Sequence, residues 1–252
     1  MSTEQHWCVG VLTGAHLRGV CTPGLIFAYG PTNSGKTFTI QGGKDESAGI
    51  LPRALSTLFE LLSASGEQGG VEWTVWVTYM EIYNENVYDL LDQPHDKSKN
   101  EARKVCKLKE HNGQIHVKGL RELQVRSVDE AKQVLRYGAR HRQVAETMSN
   151  EVSSRSHSVF NIKLVPNIGK NTDPTDPSQV YSKLAIVDLA GSERALKTRA
   201  TGDRLKEASN INVSLMNLGR CLEALRWNQV RTHTFLHACL SKLATHELRL
   251  IS

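Results

Sequence analysis

Apolar and polar positions along the chain alternate between two periods. Leu25-Ile26-Phe27-Ala28-Tyr29 is a short unbroken apolar run, the pattern of a buried strand. Further on, Leu55, Leu58, Phe59 and Leu62 recur at helical spacing, and Pro52 suits the first turn of that helix. From Val71 to Tyr79 the odd positions are Val, Trp, Val, Val and Tyr, while Glu72, Thr74 and Thr78 point the other way. That is a strand's period of two, and Trp76 on the polar side predicts cover on both faces. His111-Asn112-Gly113-Gln114 between Leu108 and Ile115 predicts a hairpin turn. Ser127 with Glu130 three residues on is a capping-box pattern, and Ala131, Val134, Leu135 and Gly138 then share one helical face. Leu184-Ala185-Ile186-Val187 reads as another buried strand, and Ile211, Leu215, Leu218, Leu222 and Leu225 line one side of a helix. Polar loops are expected at 42–46, 92–104 and 166–178. This alternation predicts an α/β sandwich around a central sheet, with no internal repeat.

Composition narrows the class. At 252 residues with 39% hydrophobic content, the chain can build one domain with a substantial core. No stretch approaches the roughly 20 apolar residues of a membrane span, and the N-terminus lacks a secretory signal pattern. The five cysteines (Cys8, Cys21, Cys106, Cys221 and Cys239) are scattered, which argues for a reducing compartment and against a disulfide scaffold or zinc finger. A net charge of +5 permits an acidic partner without demanding one.

Three polar segments carry the candidate chemistry. Gly30-Pro31-Thr32-Asn33-Ser34-Gly35-Lys36-Thr37 fits G-x-x-x-x-G-K-[ST] at every fixed position and follows the 25–29 strand. In such a loop backbone N–H groups surround phosphates, the lysine reaches the β/γ oxygens, and the Thr hydroxyl ligates Mg²⁺. Pro31 offers no N–H but sits early in the loop, and Asn33 tolerates the positive φ of an inner turn. The second segment is Asn150-Glu151-Val152-Ser153-Ser154-Arg155-Ser156-His157, which by composition alone is equally a serine-rich loop after a helix. The third is Asp188-Leu189-Ala190-Gly191-Ser192-Glu193, an aspartate at the end of an apolar strand followed by a glycine. A P-loop ATPase holds Mg²⁺ and senses the γ-phosphate with such a segment.

Together these three motifs resemble the P-loop, switch I and switch II of a kinesin motor domain. Tyr79-Met80-Glu81-Ile82-Tyr83-Asn84-Glu85, Val87-Tyr88-Asp89-Leu90-Leu91 and Asn210-Ile211-Asn212-Val213-Ser214-Leu215 are also similar to kinesin strings, so the resemblance covers residues 25–229. Thr32-Asn33-Ser34, the 158–164 segment, Leu218-Gly219-Arg220-Cys221 and Asn228-Gln229 resemble the mitotic kinesin-like proteins of the central spindle. The resemblance implies a three-layer P-loop NTPase fold with a central, mostly parallel sheet flanked by helices. It implies a microtubule-stimulated ATPase that uses ATP and Mg²⁺, located in the cytoplasm on the microtubule cytoskeleton or spindle. Residues 30–37 are then expected to cradle the phosphates, with Lys36 neutralising them. Thr37 and Ser154 are expected to ligate Mg²⁺ directly, and Asp188 through water. Ser153 is expected to orient the attacking water and Gly191 N–H to sense the γ-phosphate. Arg155 and Glu193 are expected to pair across the two switches.

Arg194, Lys197, Arg199, Arg204 and Lys206 face only Asp203 and Glu207 nearby, which alone describes either a solvated loop or an acidic partner's docking site. The resemblance favours tubulin, through the basic 194–206 loop and the 211–226 helix, and no nucleic acid. Both ends depart from the family. Only 29 residues precede Gly30, so 1–24 is an atypical N-terminal segment. The divergent tail 230–252 shares only Ser241-Lys242-Leu243 with the expected continuation. A motor truncated at both ends is therefore expected, with an unpaired sheet edge and no ability to walk alone. Two readings stay open: a motor ATPase, and a non-motile nucleotide- or microtubule-binding module without productive turnover.

Overall fold

The computed structural model describes residues 8–13, 24–43, 48–66, 72–92, 103–111, 114–147, 152–167, 182–192 and 203–231. In chain order the elements are β1 (Cys8–Thr13), β2 (Gly24–Tyr29), α1 (Lys36–Gln41), α2 (Ile50–Gly66), β3 (Trp73–Tyr83), β4 (Asn86–Asp89), β5 (Val105–His111), β6 (Gln114–Lys118), β7 (Leu123–Val125), α3 (Val128–Thr147), a 3-10 turn (Val152–Arg155), β8 (His157–Pro166), β9 (Ser182–Asp188) and α4 (Asp203–Arg231). The strands form one sheet in the order β1-β2-β9-β8-β3-β4-β5-β6, and β7 pairs with β3. Among the described residues β1 pairs on one side only, with β2.

The α/β architecture agrees with the expectation, but the sheet is mixed rather than mostly parallel. Among the described residues only β2 and β9 pair in parallel; each other pair of neighbours is antiparallel. The reason is local. Asn84 and Glu85 both take positive φ, 48° and 63°, and fold β3 straight back onto β4 as a hairpin. The register His111↔Gln114 closes β5 on β6 within two residues, at the Asn-Gly position that lies outside the described residues. Short turns make antiparallel pairs; only a helical crossover returns a strand in parallel.

Side chains alternate between two cores, one on each sheet face. Ala28, Val77, Tyr79, Phe160 and Ile186 pack under α1, α2 and α3 with Ile40, Leu55, Ala131 and Leu135. Their chain neighbours Phe27, Met80, Val159 and Val187 face the other way, toward Leu215 and Leu218 of α4 and Cys106 of β5. This is the expected three-layer sandwich. The cap at the start of α3 forms in part as read: Glu130 N–H donates to Ser127 Oγ at 3.2 Å, while the Glu130 carboxylate reaches one residue further back and accepts from Arg126 N–H at 2.7 Å. The stripe of α4 is also as read, with Leu215 and Leu218 buried and Val213 and Met216 exposed. The helix starts earlier than its apolar stripe, at Asp203, so the end of the basic loop belongs to its first turn.

Candidate functional site

Strand direction assembles the site. β2 and β9 run parallel in the register Ala28↔Asp188, so the P-loop after Tyr29 and the segment after Asp188 leave the sheet at one edge. β8 runs antiparallel to β9 with Ser158 opposite Asp188, which brings its leading turn, residues 152–155, to the same edge. An all-parallel arrangement would have sent that turn to the far end of the sheet. Ligands of open α/β sheets bind at the carboxyl ends of their strands.

The loops at this edge are tied to one another by backbone. Asn33 (φ 64°) and Gly35 (φ 92°) supply the left-handed turns of the P-loop, as read from the tolerance of Asn for that region. Lys36 is a buried cation, with Nζ donating to the carbonyls of Gly30 at 2.9 Å and Pro31 at 2.7 Å. After Asp188, three consecutive amides are engaged. Ala190 N–H donates to His157 Nδ1 at 2.9 Å, Gly191 N–H to the Ser154 carbonyl at 2.7 Å, and Ser192 N–H to the Gly30 carbonyl at 3.1 Å. All three motifs are thereby in direct contact. Thr32 and Ser34 lie in the P-loop, and Ser153, Ser154 and Arg155 all lie in the 3-10 turn, the last two half-buried. Glu193 and the 194–202 part of the basic loop lie outside the described residues.

Asp188 is 1% exposed, and its two oxygens are treated differently. Oδ2 accepts from the Thr37 hydroxyl at 2.8 Å and from Arg142 Nη1 at 2.9 Å. Oδ1 is buried and has no hydrogen-bond partner among the described residues. A carboxylate oxygen so placed, beside a threonine hydroxyl, fits a hydrated divalent cation. Among the described residues no three His, Cys, Asp or Glu side chains converge. Such a donor set suits Mg²⁺, which keeps waters and binds through one carboxylate plus phosphate oxygens.

Arg142 and Glu81 are buried charged residues beside the site that the motif reading missed. Arg142, 4% exposed, also donates from Nη1 to Ser158 Oγ and from Nη2 to the Ser156 carbonyl, each at 3.1 Å. Burial works against its charge, but Asp188, Tyr79 and Glu81 outweigh that, so the guanidinium holds its proton more firmly than usual. Glu81 is fully buried and lies 4.0 Å from Arg142 Nε and 2.7 Å from Arg103 Nη2. Both were detectable in principle. Arg142 continues the stripe Ala131, Leu135, Gly138, and Glu81 continues the inward series Val75, Val77, Tyr79. A charge on a buried stripe signals a paired, specific contact.

A strand, a glycine loop carrying the motif's lysine, a helix and a parallel neighbouring strand that ends in an aspartate together define a P-loop nucleotide-binding protein. The kinesin motor domain model matches residues 8–245, and the chain belongs to that family. It is 46% identical over 201 residues to the human kinesin-like protein KIF13B, covering 79% of this chain and 10% of that protein. The solved structure of a kinesin 6 superposes with a TM-score of 0.64 at 32% identity, over 90% of this chain and 70% of the other. A fast kinesin, described for its ATPase mechanism and interactions with microtubules, superposes with a TM-score of 0.64 at 31% identity, over 91% of this chain and 61% of the other. The chain spans between 10% and 20% of the length of the curated relatives it matches.

Proposed function

We propose that the chain is the catalytic core of a microtubule-based motor, which binds and hydrolyses MgATP and couples switch movement to track affinity. The observation that carries this reading is the bond from Gly191 N–H to the Ser154 carbonyl, which joins the two switch segments directly above the P-loop. In this reading Lys36 exchanges the Gly30 and Pro31 carbonyls for the β- and γ-phosphates. Thr37 and Ser154 would hold Mg²⁺ directly and Asp188 would hold it through water, and the ion would supply neutralisation of charge on the phosphates. Residues 30–37 cradle the phosphates, with backbone N–H groups at every position but Pro31, and Ser153 orients the attacking water. Gly191 N–H exchanges the Ser154 carbonyl for the γ-phosphate, and Arg155 pairs with Glu193 to close the switches. Catalysis is then mainly positioning and charge stabilisation.

Two surfaces support a microtubule partner. The first is the exposed face of α4, which carries Val213, Met216, Arg220 and Glu223 opposite its buried stripe and follows the basic 194–206 loop. The second is the β5–β6 hairpin, where Lys107 stands opposite Lys118. Like charges facing across a ladder are unfavourable unless an anionic partner offsets them. Val117 and Leu120 pack into the same core as Leu215 and Leu218, so hairpin and helix flank each other on one side of the sheet. The acidic surface of tubulin suits both. The protein would then work on the cytoskeleton, with the spindle as a narrower assignment drawn from its likeness to central-spindle kinesins.

The test is phosphate release by the purified chain with and without microtubules, beside Lys36→Ala. Stimulation that the variant abolishes is the expected result. Binding of MgATP without turnover would replace the motor with a non-motile nucleotide-binding module, and absence of both would end the reading.

A further inference from the structure

His157 closes the switch I motif, yet the reaction above gives it no task. It is 6% exposed and sits at the start of β8, between the loop that follows Asp188 and the inner face of α4. Its two ring nitrogens meet different elements. Nδ1 accepts from Ala190 N–H at 2.9 Å, and an amide can only donate, so the ring proton resides on Nε2. Nε2 lies 3.4 Å from Ser214 Oγ on α4. The Ser214 hydroxyl donates to the Ile211 carbonyl at 2.7 Å, which leaves its oxygen free to accept from the ring. The chain of donors therefore runs in one direction, from Ala190 through His157 and Ser214 to the backbone of α4. Burial and the nearby Arg142 hold the imidazole pKa down to about 4, so Nδ1 remains an acceptor at neutral pH.

We infer that His157 is the positioning residue that transmits movement of the Ala190–Ser192 loop to α4, and so sets how strongly bound nucleotide alters track affinity. The inference rests on the motor reading above. Two geometric features support transmission over simple packing. Ala190 is the immediate neighbour of Gly191, whose amide in that reading changes partner when the γ-phosphate binds or leaves. At 3.4 Å the bond to Ser214 is near the limit of a hydrogen bond, so a shift of a few tenths of an ångström strengthens or breaks it. Asn210 Nδ2 donates to Asn84 Oδ1 at 3.1 Å, which anchors the same turn of α4 to the tight β3–β4 hairpin. Between these two contacts lies a small cleft lined by Ile82, Asn84, Arg155, His157, Asn210 and Ser214.

The experiment measures microtubule affinity of the full chain in ADP and in a non-hydrolysable ATP analogue, and takes the ratio of the two. Ser214→Ala removes the α4 end of the joint. His157→Asn places an amide oxygen where Nδ1 was and keeps the Ala190 bond, but cannot reach Ser214. Each is expected to bring the ratio toward one by about fivefold, the factor carried by one ordinary hydrogen bond. The double variant is expected to go no further than either single, because both remove the same link. A residue that only packs would weaken both affinities together and leave the ratio unchanged, and that result in Ser214→Ala overturns the inference even if His157→Asn does not fold. A ratio of one in the unaltered chain would overturn the motor reading and this inference with it. A large unaltered ratio that neither variant moves would overturn this inference alone.

Discussion

Replacing Arg142 by methionine removes a guanidinium while keeping most of the side-chain volume. In the native site it joins Asp188 at 2.9 Å and approaches Glu81 at 4.0 Å, and those carboxylates are 1% and 0% exposed. At about 4 Å and an effective dielectric of ~20, one unit pair attracts by about 4 kcal/mol. Taking one partner from a buried pair strands the other, and the cost is about 3–5 kcal/mol. Arg103 keeps hold of Glu81 at 2.7 Å, so the loss falls mainly on Asp188, and the middle of that range, about 4 kcal/mol, is expected. For a domain of this size that lowers Tm by roughly 8–16 °C. Urea denaturation with linear extrapolation, alongside a thermal melt, reads both quantities. Arg142→Lys retains the charge but not the fork that reaches Asp188 and the Ser156 carbonyl together, so it should recover about half of the loss. A cost below about 1 kcal/mol for Arg142→Met would refute the argument, because an interaction that small belongs to exposed pairs.

Three further outcomes follow from the geometry. The folded pKa of His157 lies at about 4, below the ordinary value of 6.5, so the unfolded chain takes up the proton first as pH falls. The stability this neutral ring preserves is complete above about pH 6.5 and drains away toward pH 4, with about 2 kcal/mol lost between pH 7 and 5; urea titrations at those two pH values should show His157→Asn flatter by that amount. Gly138→Ala should destabilise by about 1–3 kcal/mol despite alanine's better helix propensity, because its Cβ would lie 2.2 Å from Cδ1 of the buried Tyr79. Tyr79 is held edge-on to Phe160 at 5.3 Å and cannot swing away; a stabilised variant in chemical denaturation would contradict this. Lys107→Glu should weaken microtubule co-sedimentation about fivefold at low salt and reduce its salt dependence, while an unchanged salt dependence would remove the hairpin from the interface.

Much of the site was legible from local pattern. The P-loop announced itself by residue type and spacing, including Asn33 as the residue that accepts a φ of 64°. The Ser127 cap of α3 and the apolar stripe of α4 were equally readable, since both depend on neighbours within one or two turns. Arg142 was harder, because its position on the α3 stripe says only that it is buried, while its partner lies 46 residues away on β9.

The sequence by itself determined where the principal strands and helices lie, which faces they bury and which residues have chemistry suited to phosphate. Those properties follow from backbone periods of 2 and 3.6 and from side-chain preference, all of which act over a few residues. Tertiary structure decided which strand ends meet. The expectation of a mostly parallel sheet failed because direction is set by whether a turn or a helix connects two strands and by which ladder each strand joins. Only the antiparallel placement of β8 against β9, with Ser158 opposite Asp188, brings the turn before His157 beside the P-loop. The same register puts Ala190 against the ring of His157, and α4 completes the contact from the other layer. Pairings of this kind are chosen by the combined burial of two cores and the satisfaction of backbone groups across the sheet, which no window of sequence contains.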